Sequence, residues 1–191
     1  NQTEYGEIIT RPADRRENYV KRCVGLPGQT LQIKDRIVYL DGKANKEPEN
    51  VQYTYHVKLK QAIPEEMMED LGISMEDLTS LNTSGYMPLT NRAVKVLKAH
   101  PDIVESITLN TEANDLEIYP LNGNKHWTRD NYGPVWIPKK GESIELTLDN
   151  IAIYERPIKV YEANDLQIRD GKIFINGQEA KSYTFKMDYY W

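Results

Sequence analysis

The stretch that decides the fold is YVKRCVGLPGQTLQI, at residues 19–33. A short run of strand-forming residues carries two cations, Lys21 and Arg22, and then breaks at residues 25–28, whose Gly-Leu-Pro-Gly sequence predicts a tight turn. Because side chains alternate between the two faces of a strand, the two cations lie on opposite faces. An otherwise apolar strand therefore carries one charge on each face, and the role of Lys21 has to be explained.

The composition limits what the chain can be. Its 191 residues suffice for one domain with a core, or for a core that carries an inserted subdomain. Hydrophobic residues make up 39% and charged residues 28%, which is typical of a folded protein, and no apolar run has the length of a membrane helix. The net charge of −5 argues against a nucleic-acid partner. Cys23 is the only cysteine, so the chain cannot form an internal disulfide.

Most of the chain has the pattern of short strands separated by turns. Runs rich in Ile, Val, Tyr and Thr alternate with Gly, Asn, Asp and Pro, which predicts a β-rich frame. The predicted strands include residues 53–59, 106–109, 144–148, 158–161 and 182–191.

Helical signals cluster in one region. The segment at 64–71 opens with a proline and acids, Ser74 begins a sequence that resembles a capping box, and Thr90 can cap a further helix. We therefore predict an α+β insert within the β frame. The predicted division is 1–45 for the first part of the frame, 46–130 for the insert and 131–191 for the remainder of the frame.

The frame contains an internal repeat. LQIKDRIVYLDG at 31–42 aligns without a gap with LQIRDGKIFING at 166–177, and each copy predicts a strand, a tight turn, a second strand and a second turn. The pentapeptide EANDL also occurs twice, at 112–116 and 162–166. We predict two similar hairpins in one β architecture. Their turns are predicted at Lys34-Asp35 and Asp41-Gly42 in the first copy, and at Asp170-Gly171 and Asn176-Gly177 in the second.

Neither metal binding nor paired-carboxylate chemistry is indicated. The histidines, His56, His100 and His126, are scattered, with no second ligand at i+4 and no cysteine pair. The acids within 65–70 lie on the first turns of a predicted helix, where negative charge favours the helix dipole. We therefore predict no metal and no cofactor.

Lys21 allows two interpretations that its position in the strand does not separate. A strand lysine usually keeps its ammonium group in water. A lysine buried beside a strand behaves differently, because desolvation lowers its pKa by about 3–5 units and the neutral amine can then take the proton of a serine hydroxyl. In the second interpretation Lys21 is a catalytic base.

The motif around Lys21 resembles the lysine box of bacterial type I signal peptidases, which are membrane-bound serine proteases with a Ser-Lys dyad. In that family, Tyr-[Ile/Val]-Lys-Arg precedes a small or apolar residue and then Gly-[Leu/Pro]-Pro-Gly-Asp. The chain matches this pattern over 19–28 and departs from it at Gln29, where the family usually has an aspartate that makes a turn contact. Weaker similarity to a long-insert subgroup extends over NYGPVWIPKKG at 131–141 and over 171–191.

The resemblance implies a β-rich, signal-peptidase-like fold with an inserted α+β subdomain, and it assigns a role to each residue of the motif. The general base is Lys21. Tyr19 and Val20 line a shallow pocket for the small side chains before the cleavage point, and the backbone from Asn18 to Val20 pairs with the substrate as an added strand. Arg22 braces the strand through a carboxylate. The implied sets are Lys21 as catalytic, Asn18, Tyr19 and Val20 as substrate-binding, and Arg22, Gly25, Pro27 and Gly28 as structural.

The resemblance also implies a cellular setting. The partners are the signal peptides of exported preproteins. The catalytic part lies on the periplasmic, or extracytoplasmic, side of the bacterial cytoplasmic membrane and is held there by an anchor outside these 191 residues. No metal, cofactor or nucleic acid takes part.

Two signatures of the family are not found in the sequence. The nucleophile belongs to a Ser-Met-x-Pro-[Thr/Ser] box upstream of the lysine, and residues 1–18 contain no serine. Ser74 and Ser84 lie downstream of Lys21 and lack the pattern of that box. A Gly-Asp-Asn-Arg box follows a strand like 185–191 in the family. We therefore interpret the chain as a fragment of a leader peptidase and expect the fragment to be inactive.

Two other functions stay open. One is a self-cleaving repressor-type Ser-Lys peptidase with a related fold, although the Gly-Leu-Pro-Gly context favours the signal peptidase. The other is an inactive paralogue whose β surface and insert bind envelope proteins. The gene sequence on either side of the chain would distinguish the three.

Overall fold

The computed structural model describes residues 20–111, 118–121 and 127–191. In these residues the chain forms twelve strands and four α-helices. The strands are β1 (Thr30–Lys34), β2 (Ile37–Leu40), β3 (Lys43–Ala44), β4 (Gln52–Leu59), β5 (Tyr86–Thr90), β6 (Val104–Leu109), β7 (Tyr132–Trp136), β8 (Ser143–Glu145), β9 (Leu166–Arg169), β10 (Lys172–Ile175), β11 (Gln178–Glu179) and β12 (Ser182–Thr184). The helices are α1 (Glu65–Leu71), α2 (Met75–Ser84), α3 (Asn91–Lys98) and α4 (Ile151–Arg156), the last continuing as a π-helical turn (Pro157–Tyr161).

The described strands form four antiparallel sheets. The first has the order β3-β2-β1-β7 and joins the start of the frame to its later part. The second is β11-β10-β9, the third is β12-β8, and the fourth, β5-β4-β6, belongs to the region of the predicted insert. The β-rich fold class predicted from the sequence is confirmed.

The two copies of the internal repeat fold into the same hairpin. β1 pairs with β2, β9 pairs with β10, and each pair closes through a two-residue turn in which both residues have positive φ. In each copy the second turn binds the start of the first strand in the same way. The equivalent contacts are Thr30 N–H to Asp41 Oδ1 at 2.8 Å and Asp165 N–H to Asn176 Oδ1 at 2.9 Å. The prediction of two similar hairpins is therefore confirmed.

One turn lies one residue later than predicted. β1 runs through Lys34, so the turn is Asp35-Arg36, with φ of 47° and 72°, and the prediction of Lys34-Asp35 was wrong. The second hairpin has a glycine, Gly171, where the first has Arg36. A non-glycine residue at positive φ is unfavourable, and Arg36 is held there by its backbone N–H, which donates to the Asp130 carbonyl at 2.9 Å.

The first hydrophobic core lies between the frame strands and α4. Its most deeply buried side chains are Leu31, Val135, Ile137, Ile158 and Phe185, each no more than 2% exposed. Burial of side chains of this size stabilises the fold by about 1.5–3 kcal/mol each. This core therefore fixes the first sheet, from which the segment carrying Lys21 emerges.

The second core lies between the β5-β4-β6 sheet and helices α1 to α3. Met87, Leu89 and Leu97 are almost fully buried in it, and it shares no buried residue with the first core. Helix α2 begins with a complete capping box, in which Ser74 and Asp77 satisfy each other's backbone N–H groups. The predicted helices of this region are confirmed, whereas the boundaries 1–45, 46–130 and 131–191 stay a prediction.

Residues 158–161 are helical, so the strand predicted there was wrong. They belong to the π-helical turn after α4, which closes with Glu162 N–H donating to the Pro157 carbonyl at 3.0 Å. The β-branched residues of this region favour a strand, but burial of Ile151, Tyr154 and Ile158 on one side of a helix outweighs that preference. No helix in the described ranges combines the length and apolarity needed to cross a membrane.

Candidate functional site

Lys21 lies at the protein surface. Its side chain is exposed, and the neighbouring Val20 is 90% exposed. Asn18 and Tyr19, which are also predicted to bind substrate, lie outside the described residues. The roles assigned to these four residues therefore stay predictions.

The backbone that follows Lys21 is held by Trp191. The N–H groups of Val24 and Gly25 donate to the Trp191 carbonyl at 2.7 and 3.2 Å, and the Trp191 N–H donates to the Gly25 carbonyl at 3.0 Å. Residues 20–26 form no regular strand, so this pairing is what fixes the end of the lysine segment. Sequence reasoning missed it, because a contact between residues so distant in the chain leaves no periodic signal.

Gly25 allows the lysine segment to lie directly on the first core. The residue is buried, and a Cβ atom at this position would be 2.4 Å from Ile137 Cδ1 and 3.4 Å from both Leu31 Cδ1 and Trp191 Cβ. Non-bonded carbon atoms approach favourably to about 3.5–4.0 Å, so a side chain here would displace the segment or the core. The structural role predicted for Gly25 thus has a steric basis.

The Gly-Leu-Pro-Gly motif forms a turn that is bonded to β7 and to the segment after it. Pro27 and Gly28 occupy its central positions, Gly28 has φ of +86°, and the Gln29 N–H donates to the Leu26 carbonyl at 3.1 Å, as in a type II turn. The backbone of Gly28 then bonds the core twice. Its N–H donates to the Ile137 carbonyl at 2.8 Å, and its carbonyl accepts from Trp136 Nε1 at 3.1 Å.

Gln29, at the position where the family motif usually has an aspartate, also makes a contact within the turn. Its side-chain Oε1 accepts from the Leu26 N–H at 2.9 Å. Its Nε2 donates to Asp41 at 3.4 Å, and Asp41 also accepts from the Thr30 N–H. An amide therefore closes this turn and at the same time links it to the second turn of the first hairpin.

A buried polar network supports the segment that carries Trp191. Glu162, 7% exposed, accepts from Tyr183 Oη at 2.5 Å, from the Lys186 N–H at 2.9 Å and from Tyr189 Oη at 3.3 Å. Burial first, and the hydrogen bond to Glu162 second, raise the pKa of Tyr183 to about 12. Asn164 extends the network to the second hairpin through Asn176 at 2.9 Å.

The EANDL copy at 162–166 is the sequence signal that points to this network, since it contains both Glu162 and Asn164. The other copy, at 112–116, lies outside the described residues.

Arg22 has no ion pair with any residue in the described ranges, so its predicted bracing role stays a prediction. A cation that joins the frame to the β5-β4-β6 sheet is Arg36. Its guanidinium lies 3.5 Å from the Asp130 carboxylate and 5.5 Å from the centre of the Tyr53 ring. Sequence reasoning missed this junction.

Ser74 and Ser84 are engaged in local structure. Ser74 Oγ donates to Asp77 Oδ2 at 2.8 Å and accepts from the Asp77 N–H at 3.1 Å as the cap of α2. Ser84 Oγ donates to the Ser80 carbonyl at 2.8 Å and accepts from the Tyr86 N–H at 3.2 Å. Each hydroxyl therefore has a donor and an acceptor partner within its own turn. Among the described residues no three His, Cys, Asp or Glu side chains could together hold a metal ion.

The arrangement presents a primary amine on a segment whose end is rigidly held. Lys21 lies in solvent, three residues before Val24, whose backbone pairs with Trp191.

Comparison with known proteins finds similarity over part of the chain. Residues 2–92 match the family model described as signal peptidase, peptidase S26. The chain is 46% identical over 44 residues to signal peptidase I of Bacillus licheniformis, which is 22% of this chain and 24% of that protein. It is 34% identical over 58 residues to signal peptidase IB of Staphylococcus aureus, which is 30% of this chain and 29% of that protein.

The chain thus spans between about a quarter and a third of the length of the curated relatives it matches. No solved structure matches it. The region matched by the family model contains Lys21, the turn at residues 25–28 and the first hairpin. Over residues 2–92, just under half of its length, this chain is therefore similar to the signal peptidase family, peptidase S26.

Proposed function

We propose that this chain is part of a signal peptidase I that removes signal peptides from exported preproteins. The observation that carries the proposal is the lysine segment itself: Lys21 lies within the family match and is followed by a turn that binds the first core at Ile137 and Trp136. The substrate would be an extended peptide with small side chains before the scissile bond, paired with the backbone of residues 18–20.

In the proposed reaction a serine from a segment outside these 191 residues attacks the scissile carbonyl. The neutral Lys21 amine takes the proton of the serine hydroxyl and then gives it to the leaving amine. Backbone and hydroxyl donors stabilise the oxyanion, and water releases the acyl group in a second step. The protein would act on the outer side of the bacterial cytoplasmic membrane.

The 191-residue polypeptide is expected to be inactive alone. No serine precedes Lys21 in it, and Ser74 and Ser84 both cap or close helical turns. Specific cleavage of a signal peptide by the purified polypeptide, lost in Ser74→Ala or Ser84→Ala, would refute this.

The proposed function is tested with the complete protein encoded by the gene. Reconstituted in lipid vesicles, it should cut a preprotein at a single bond. That bond should have alanine at the first and third positions before it. Replacing either alanine by phenylalanine should abolish cleavage at that bond. Cleavage that ignores these side chains, or no cleavage of any signal peptide, would contradict the proposal and favour an inactive binding paralogue.

A further inference from the structure

Strand β6 lies at an edge of the β5-β4-β6 sheet, and among the described residues it pairs with β4 alone. The Asn110 N–H donates to the Thr54 carbonyl at 2.9 Å, so every second residue of β6, counted back from Asn110, bonds to β4. The residues between them, Ile107 and Leu109, direct their N–H and carbonyl groups away from β4. In the described part of the chain no backbone or side-chain group bonds to these outward-facing groups.

The opposite edge of the same sheet, at β5, is closed. The Gly85 carbonyl accepts from β4 at 3.1 Å, and by the same alternation the backbone of Tyr86 and of Pro88 faces outward. The Tyr86 N–H donates to Ser84 Oγ at 3.2 Å, and the Tyr86 carbonyl accepts from Ser80 Oγ at 3.0 Å. Pro88 has no N–H to donate, which is a common protection of edge strands. A further strand therefore finds few bonding groups at β5.

Residues 106–110, at the open edge, have none of the features that keep edge strands apart. Their sequence, Ser-Ile-Thr-Leu-Asn, contains no charged residue and no proline. The bulge of β6 is at Glu105, where the register with β4 shifts between Lys58 and Leu59. It lies outside residues 106–110, which pair regularly with β4 and leave the edge accessible.

This edge is complementary to a second copy of itself. In antiparallel pairing centred on Thr108, Ile107 of each copy lies opposite Leu109 of the other, and their outward N–H and carbonyl groups bond to one another. Ile107 is buried in the second core and Leu109 packs against that core, so this pair continues the core across the contact. On the other face the two Thr108 side chains lie opposite each other, a favourable cross-strand pair. Ser106 lies opposite Asn110, so no like charges meet.

We propose that two copies of this chain associate through β6 and join their three-stranded β5-β4-β6 sheets into one continuous antiparallel sheet. The contact is two-fold symmetric, since each copy contributes the same residues. Main-chain hydrogen bonds supply the affinity, as in other cases of strand addition. The inference does not depend on the proposed function, because β6 lies in the second core and Lys21 does not.

Disulfide cross-linking tests the pairing and its register. In a Cys23→Ser background, Thr108→Cys should form a disulfide between two chains under mild oxidation. The Cα atoms of a non-hydrogen-bonded antiparallel pair are about 4.5 Å apart, which is within the range of a disulfide. Thr54→Cys is the matched control, because Thr54 is exposed on the same face of the sheet but lies on β4. Three strand spacings, at least about 14 Å, would separate its two copies, so it should not cross-link.

Sedimentation of charge variants gives an independent test without oxidation. The unchanged 191-residue chain should show a monomer–dimer equilibrium with a Kd of about 10⁻⁶–10⁻⁴ M. Thr108→Lys alone, or Thr108→Glu alone, places like charges opposite each other and should weaken association by about fivefold or more at low salt. An equal mixture of the two variants should restore it by forming a mixed dimer. Thr54→Lys changes the net charge equally and should leave the Kd unchanged.

Three results would overturn the inference. One is a chain that sediments as a monomer up to about 1 mM, the weakest affinity that such a contact would have. Another is a dimer whose Kd is the same in Thr108→Lys as in the unchanged chain. The third is cross-linking of Thr54→Cys as efficient as that of Thr108→Cys, which would mean that the two copies meet at another surface.

Discussion

Replacing Gly25 by alanine tests whether close packing on the first core positions the lysine segment. The added Cβ would lie 2.4 Å from Ile137 Cδ1, about 1 Å inside the contact distance of two carbon atoms. Ile137 is 1% exposed and Leu31 is fully buried, so neither side chain can move into solvent. Relief of the overlap must displace either the Ile137 side chain or the pairing of Gly25 with Trp191.

The expected cost is about 1–3 kcal/mol, the usual range for overpacking a well-packed core. For a chain of this size each kcal/mol corresponds to about 2–4 °C in Tm. Because Gly25 has no positive φ, the cost is steric and does not include backbone strain. Gly42→Ala is the matched control, since Gly42 has φ of +76° and open space around it, and its cost is therefore strain alone.

Urea unfolding followed by tryptophan fluorescence measures this cost. The three tryptophans all lie outside the second core, and Trp127 and Trp136 pack against the first, so the signal reports on the frame. Ile137→Val removes the clashing Cδ1 atom and should cost about 0.5–1.5 kcal/mol alone. The double variant Gly25→Ala with Ile137→Val should be at least about 1 kcal/mol more stable than the sum of the two single effects predicts.

Additivity of the two changes within about 0.5 kcal/mol would refute this explanation, because independent sites add to that accuracy. Gly42→Ala should show such additivity with Ile137→Val. If the effects of Gly42→Ala and Ile137→Val on stability were also non-additive, the double-mutant comparison would report a general change in the stability of the frame. It would then not report a specific contact between Gly25 and Ile137.

Three further predictions concern the two cores and the buried network. Leu97→Ala should destabilise the second core by about 2–5 kcal/mol and increase hydrogen exchange in β4 and β6, while the tryptophan-monitored midpoint stays within error. Glu162→Gln should lower the free energy of unfolding by about 1–3 kcal/mol in the same urea assay. The NH₂ of the new amide would face the hydroxyl and N–H donors whose hydrogen bonds the carboxylate now accepts. Burial raises the pKa of Tyr154 to about 12, so the stability that its neutral form contributes is complete below about pH 10 and is lost as pH rises through 12, by an amount on the order of 3 kcal/mol. Tyr154→Phe should therefore flatten the alkaline part of a pH–stability curve, although at neutral pH it costs about 0.5–1.5 kcal/mol through the lost hydrogen bond to the Trp136 carbonyl.

Local rules predicted those parts of the structure whose determinants are close together in the chain. The Asp41-Gly42 and Asn176-Gly177 turns and the Ser74 cap each depend on a few neighbouring residues. The same local rules did not predict helix α4 and its π-helical turn, because burial of Ile158 among distant residues decides their conformation.

Of the candidate site, only the local structure of the motif that contains Lys21 could be predicted from the sequence. The turn at residues 25–28 follows from its glycines and proline. What holds the motif in place comes from elsewhere: Trp191 pairs with its backbone, Ile137 packs on Gly25, and the network around Glu162 supports Trp191. These contacts join segments far apart in sequence, and each depends on the whole fold.

The most direct test of the central claim is the rate at which the complete, membrane-reconstituted protein cleaves a preprotein when Lys21 is replaced by methionine. Methionine keeps most of the side-chain length and removes the amine. Lys43→Met, at another exposed lysine, serves as the control. If Lys21 is the general base, kcat should fall by at least about 10²–10⁴-fold with an unchanged unfolding midpoint, while Lys43→Met retains full activity. Cleavage by Lys21→Met at the rate of the unchanged protein would contradict the claim.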